Sequence, residues 1–163
     1  MLDKLGNFRW LVLSALTLVL DQLSKWWVEA RLPHYGSEPI LPHLNLVHLH
    51  NTGAAFSMFR EAPKLMFIGL ATIVSLGILS WLWQHRKGET ITAVGLCLIM
   101  GGAIGNVVDR VRLGHVTDFI DFYVGNWHFA AFNVADMAIS TGAGLLILDM
   151  VLQWRRERAA ARD

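Results

Sequence analysis

Two aspartates stand where their surroundings would let them do chemistry. Asp118 lies in Gly114-His115-Val116-Thr117-Asp118-Phe119-Ile120-Asp121-Phe122, a stretch that sets acids among bulky apolar residues. Asp136 lies in Phe132-Asn133-Val134-Ala135-Asp136. There Asn133 is placed to cap a helix and Asp136 falls in its first turn, where the helix dipole favours a negative charge. Two carboxyl groups held close in a low dielectric do not readily both ionise, so one keeps its proton. Such a pair can split a peptide bond: one member takes a proton from water while the other polarises the scissile carbonyl. Each acid also has a plainer reading, Asp136 as a helix cap and Asp118 as a paired loop charge. Asp149 is too far away to join them. It lies 13 residues beyond Asp136 on the same predicted helix, about 20 Å away.

Other polar residues cluster near the same predicted rim. Gly102, Asn106 and Arg110 recur every four residues and form one seam along a helix. Gly101 and Gly105 share the small-xxx-small spacing that lets helices approach closely. Asp21 and Lys25 are one turn apart, which predicts an ion pair inside a span or a place along a substrate cleft. Asn51-Thr52-Gly53 reads as a turn. The rival chemistries are poorly supported. There is no His-Glu-x-x-His zinc helix and no Gly-x-Ser-x-Gly elbow, and Ser24 and Lys25 are adjacent on a helix and diverge. His48 and His50 share one face of a predicted strand, but no third ligand has the usual spacing, so an outer-loop or interfacial role is expected rather than a metal. The single cysteine, Cys97, sits in an apolar run and is expected to be packing.

These residues need elements to position them. Of the 163 residues, 54% are hydrophobic and 17% charged, against about 25% charged in a soluble domain, so much of the surface faces something other than water. Four segments reach the roughly 20 apolar residues that span a hydrocarbon core: about 10–29, 64–84, 91–108 and 134–154. Trp10, Trp26, Trp27, Trp81, Trp83 and Trp154 fall near their ends, as interfacial rings do. Lys4 and Arg9 precede a short apolar run, yet no small-x-small cleavage site follows, so a retained first span is expected. Lys4, Arg9, Arg86, Lys87, Arg155, Arg156, Arg158 and Arg162 fall on one side. Arg31, Arg60, Lys64, Arg110 and Arg112 are spread over longer loops on the other. This bias predicts both termini in the cytoplasm and outward loops at about 30–63 and 109–133. The first loop alternates from His43 to His50, which predicts a small strand or hairpin on the outer leaflet. The expectation is one all-α membrane domain over residues 1–163, with four transmembrane helices and a small extracytoplasmic β element. The net charge of +1, with no basic stripe, gives no reason to expect a nucleic-acid partner.

Five blocks in order carry a family likeness: Asp21-Gln22-Leu23-Ser24-Lys25, Asn51-Thr52-Gly53-Ala54-Ala55-Phe56-Ser57, Gly101 to Arg110, Gly114 to Phe119, and Phe132 to Asp136. The sequence resembles lipoprotein signal peptidase (signal peptidase II) over nearly all of its length. The resemblance implies a metal-free, cofactor-free aspartic endopeptidase of the bacterial cytoplasmic (inner) membrane, with Asp118 and Asp136 as its catalytic pair. It implies that Asn51, Gly53, Asn106, Arg110 and Asn133 line or support the cleft, that Asp21 and Lys25 are structural, and that Asp121 is a non-catalytic neighbour. The implied substrate is a diacylglyceryl-modified prolipoprotein cut before its lipidated cysteine, at a site near the outer face and in contact with membrane lipid. No obligate protein partner is implied. The alternatives are a small four-span transporter, which would place its essential acids at mid-membrane, and a non-enzymatic membrane assembly protein, which would tolerate Asp→Asn at both outer sites.

Overall fold

Each apolar stretch becomes one long helix. The computed structural model describes residues 6–53, 64–85 and 88–161. Ala54 to Ser57 of the second motif lie outside these, as do Lys4, Arg60, Arg86, Lys87 and Arg162 of the charge count. A turn of 3-10 helix, Gly6–Trp10, leads into α1, Leu11–Arg31; α2 is Lys64–Gln84, α3 Thr90–Arg112 and α4 Val134–Ala160. All four are long and apolar enough to cross a membrane. The helix α2 keeps the predicted bounds, whereas α3 continues past Val108 through Arg112, and α4 past Trp154 to Ala160. Hydropathy marks where hydrocarbon ends, whereas the backbone ladder continues into water, and arginines in a last turn suit the negative end of the helix dipole.

Close backbone contact sets the bundle. A β-carbon on Gly101 would come within 2.7 Å of the Ser14 carbonyl oxygen in α1, and one on Gly102 would strike the Ala135 carbonyl oxygen in α4. The two neighbouring glycines therefore seat α3 against two different helices. Ile78, Leu82, Ala93, Cys97 and Met100 form a buried cluster between α2 and α3. Cys97 is thus a packing residue, as its apolar surroundings predict. Large apolar side chains such as Leu65, Ile73, Leu76 and Ile147 remain mostly exposed on the outside of the helices, the surface a multi-pass membrane protein turns to lipid.

The connections α1–α2 and α3–α4 together build a four-stranded antiparallel sheet in the order β1-β2-β3-β4. Its strands are β1 Ser37–Leu41, β2 Leu44–Asn51, β3 Val116–Val124 and β4 Trp127–His128. The predicted hairpin is β1–β2, but the stretch read as an outward loop at 109–133 supplies two further strands. Leu49 pairs with Asp118, His50 with Thr117 and Asn51 with Val116. Because side chains alternate, Asn51, Val116 and Asp118 share one face while His48, His50 and Thr117 share the other. Val28, Leu32, Leu46 and Phe119 bury the sheet against the end of α1.

Candidate active site

The backbone of Phe132 pairs with Ile120 across the edge of β3. That contact delivers Asn133, the first residue before α4, to Asp118. Asn133 is a helix cap of the reciprocal kind: its Oδ1 accepts from the Asp136 N–H at 3.0 Å, and Asp136 Oδ2 accepts from the Asn133 N–H at 3.3 Å. The same side chain donates from Nδ2 to Asp118 Oδ1 at 2.7 Å. One fully buried amide thus spans the two aspartates that the sequence singled out.

The remaining donors come from two other elements. Asn51, at the end of β2, donates to Asp118 Oδ2 at 2.9 Å and accepts the Gly53 N–H at 2.9 Å, which makes the predicted turn. Asn106 of α3 donates to Asp136 Oδ1 at 2.9 Å. Asp118 is raised to about 6 in all: burial raises it most, against the lowering Asn51 amide, Asp136 raises it too, and the Asn133 amide and Lys25 lower it. Asp118 is 3% exposed.

Both acids open on a cavity of about 630 Å³, lined also by Asn51, Gly53, Asn106 and Arg110 and by the apolar Val116, Phe129, Phe132, Met137 and Ile139. Arg110 donates from Nη2 to the Gly53 carbonyl at 2.5 Å and from Nη1 to the Asn106 carbonyl at 3.3 Å. Its guanidinium lies 4.4 Å from the centre of the Phe67 ring. Its buried Nε has no hydrogen-bond partner among the described residues.

Asp21 and Lys25 lie beneath the cavity. The predicted i,i+4 pair is present at 2.8 Å, but Lys25 equally meets Asp109 at 2.7 Å, a partner that helix periodicity could not identify because it lies on another span. Lys25 also donates to Asn106 Oδ1 at 3.0 Å, and Gln22 donates to Asp109 at 2.8 Å. Asp21 Oδ1 accepts the Ala135 N–H at 2.9 Å at the start of α4. Asp109 and Gln22 are therefore site-supporting residues that sequence reasoning missed, although both lie inside the blocks it quoted.

The other candidates lie apart. Asp121, three residues along the strand from Asp118, falls on the opposite face and bonds Asn45 and His128. Asp149 is held by Thr92 and Gln153. His48 and His50 occupy the sheet face turned away from the cavity.

The family model described as signal peptidase (SPase) II matches residues 13–152. A lipoprotein signal peptidase of Hydrogenovibrio crunogenus is 45% identical over 152 residues, covering 91% of this chain and 88% of that one. One of Alteromonas mediterranea is 46% identical over 147 residues, covering 88% and 81%. A bacterial membrane enzyme solved by the in meso method superposes with a TM-score of 0.80 at 26% identity, covering 87% of each chain. The chain belongs to the signal peptidase II family.

Proposed function

We propose that this protein is an aspartic endopeptidase that removes the signal peptide from diacylglyceryl-modified prolipoproteins, cutting before the lipidated cysteine. Asp118 and Asp136 are its catalytic pair. The observation that carries the reading is that these acids, delivered by a strand and a helix, share one amide clamp and one largely apolar cavity. The ionised member removes a proton from water, the hydroxide oxygen bonds to the scissile carbonyl carbon, and the protonated member donates to the carbonyl oxygen. The tetrahedral adduct then collapses as the C–N bond breaks: the amine leaves with the proton taken from water, and the former carbonyl oxygen returns its proton to the other carboxyl group. A carboxyl raised to about 6 suits a pair that shares one proton near neutrality. The Arg110 guanidinium, in the cavity lining, would suit a substrate carbonyl or lipid headgroup as a charge-assisted donor.

Both termini lie in the cytoplasm, and the sheet and cavity lie at the outer face of the bacterial inner membrane. The Lys and Arg bias supports this, as does the placement of every strand on the two connections that an even number of spans puts on one side. Apolar walls would accept a signal helix and acyl chains while the acids still reach interfacial water.

The test is cleavage of a diacylglyceryl-modified prolipoprotein by purified wild type, Asp118→Asn and Asp136→Asn, each checked for fold. The product's new N-terminus is identified by mass. Wild type is expected to cut before the lipidated cysteine and both variants to lose nearly all activity. Either variant working at close to the wild-type rate would falsify the pair.

A further inference from the structure

On the sheet face turned away from the cavity, four histidines from three segments meet. His48 and His50 project from one face of β2, His34 comes from the turn after α1, and His115 from the turn between α3 and β3. The His50 ring is sandwiched, stacked on His34 at 3.7 Å and on His115 at 3.6 Å between centroids. The Nε2 atoms of His48 and His50 are 3.2 Å apart, and His48 Nδ1 lies 2.8 Å from the Leu32 carbonyl oxygen. A carbonyl only accepts, so the His48 proton sits on Nδ1, and the Nε2 lone pair faces His50.

We infer that His48 and His50 chelate a transition-metal dication, zinc or copper(II), at a site separate from the peptidase cavity. Nitrogens bound at about 2.0–2.1 Å lie about 3.4 Å apart at a tetrahedral angle and about 2.9 Å apart at a right angle. The observed 3.2 Å falls between these. The ion takes the place of the His50 Nε2 proton in that gap, and His50 carries its one ring proton on Nδ1 instead, so both ligands stay neutral imidazoles with no net loss of a proton. The Leu32 carbonyl is the outer acceptor that a metal-bound imidazole needs for its second nitrogen. Among the described residues no group of three His, Cys, Asp or Glu is arranged to hold a metal. The preformed nucleus is therefore the pair, with water or a turned His34 or His115 ring completing the shell. His50 is exposed, so an ion reaches the pair from water. Because His50 precedes Asn51, a bound ion pins the end of β2 beside the residue that holds Asp118.

Untagged full-length protein in detergent is titrated with zinc sulfate and with copper sulfate in a non-chelating neutral buffer and followed by calorimetry. Copper-loaded samples are then examined for nitrogen hyperfine splitting by electron paramagnetic resonance. One equivalent is expected to bind in the micromolar range, with splitting from at least two imidazoles. Loss of a ligand costs no less than loss of an outer-shell partner, so His50→Gln should weaken binding at least about tenfold. His48→Gln should do the same, and a double His43→Gln/His128→Gln control should not. Because His50 is exposed, its replacement leaves the fold intact, which thermal unfolding of the variant verifies. Absence of saturable binding to wild type, or unchanged binding to His50→Gln, overturns the site.

Discussion

Replacing Lys25 by methionine removes one ammonium from between two buried carboxylates. The side chains of Lys25, Asp21 and Asp109 are 3%, 0% and 4% exposed, with contacts of 2.8 and 2.7 Å. Removing one partner of a buried ion pair costs about 3–5 kcal/mol, because the other charge stays buried. Here two carboxylates are stranded, but each keeps a donor: Asp21 the Ala135 N–H, Asp109 the Gln22 amide. These donors place the loss near the lower figure, about 3 kcal/mol. At about 2–4 °C per kcal/mol for a chain of this size, the midpoint should fall by roughly 6–12 °C. Thermal unfolding in detergent, followed by the fluorescence of the seven tryptophans, measures it. Adding Asp109→Asn to Lys25→Met should recover part of the loss, since one stranded charge is gone, and a double-mutant cycle isolates that coupling. Lys25→Met should also slow cleavage well below its melting temperature, because Asn106 loses the ammonium that orients its amide. A midpoint within about 2 °C of wild type, or no recovery in the double variant, refutes the reasoning.

Asn51 lowers Asp118 by donating to its charged form. Asn51→Ala should therefore raise that carboxyl, and the acid limb of kcat/KM against pH should move to higher pH. Asn133→Ala should lose about 1 kcal/mol of helix capping and most activity together; a variant that loses stability and keeps its rate would separate the two roles. Asp118 is raised in the fold from 3.8 to about 6, so its contribution to stability is full below about 3.8 and is lost as pH climbs through about 6. The unfolding midpoint of wild type should fall over that window relative to Asp118→Asn. Gly101→Ala and Gly102→Ala should destabilise by forcing α3 from α1 and from α4. Gly77→Ala, where a β-carbon meets nothing within 4 Å, should be neutral or stabilising by up to about 1 kcal/mol, as parallel melts will tell.

The four helices were legible because hydrocarbon imposes a minimum length that composition alone records, and the cap at Asn133 was legible because capping is local. The strand carrying Asp118 was not. Val116–Val124 alternates poorly, with Asp118 and Asp121 three apart and so on opposite faces, and its partner β2 lies some 70 residues earlier in the chain. Strand pairing over that distance leaves no mark in either segment alone. The same holds for Lys25: its partner one turn away, Asp21, is visible in the helical repeat. Asp109 depends on how α1 and α3 pack, which glycines at 101 and 105 permit but do not specify.

The side chains that donate to the two aspartates are all primary amides, and each is oriented from outside the pair. The Gly53 N–H fixes Asn51, Lys25 fixes Asn106, and the helix start fixes Asn133. An amide has a distinct nitrogen end and oxygen end and does not titrate between acid and alkaline pH. The clamp therefore has a built-in sense of direction: every amide turns its N–H₂ toward a carboxyl group, and none can be reversed without breaking a contact elsewhere. In the proposed hydrolysis a proton moves between water, the two carboxyl groups and a departing amine while nothing that positions them changes charge. The moving part of the reaction is thus confined to the two aspartates, inside a frame that is chemically silent.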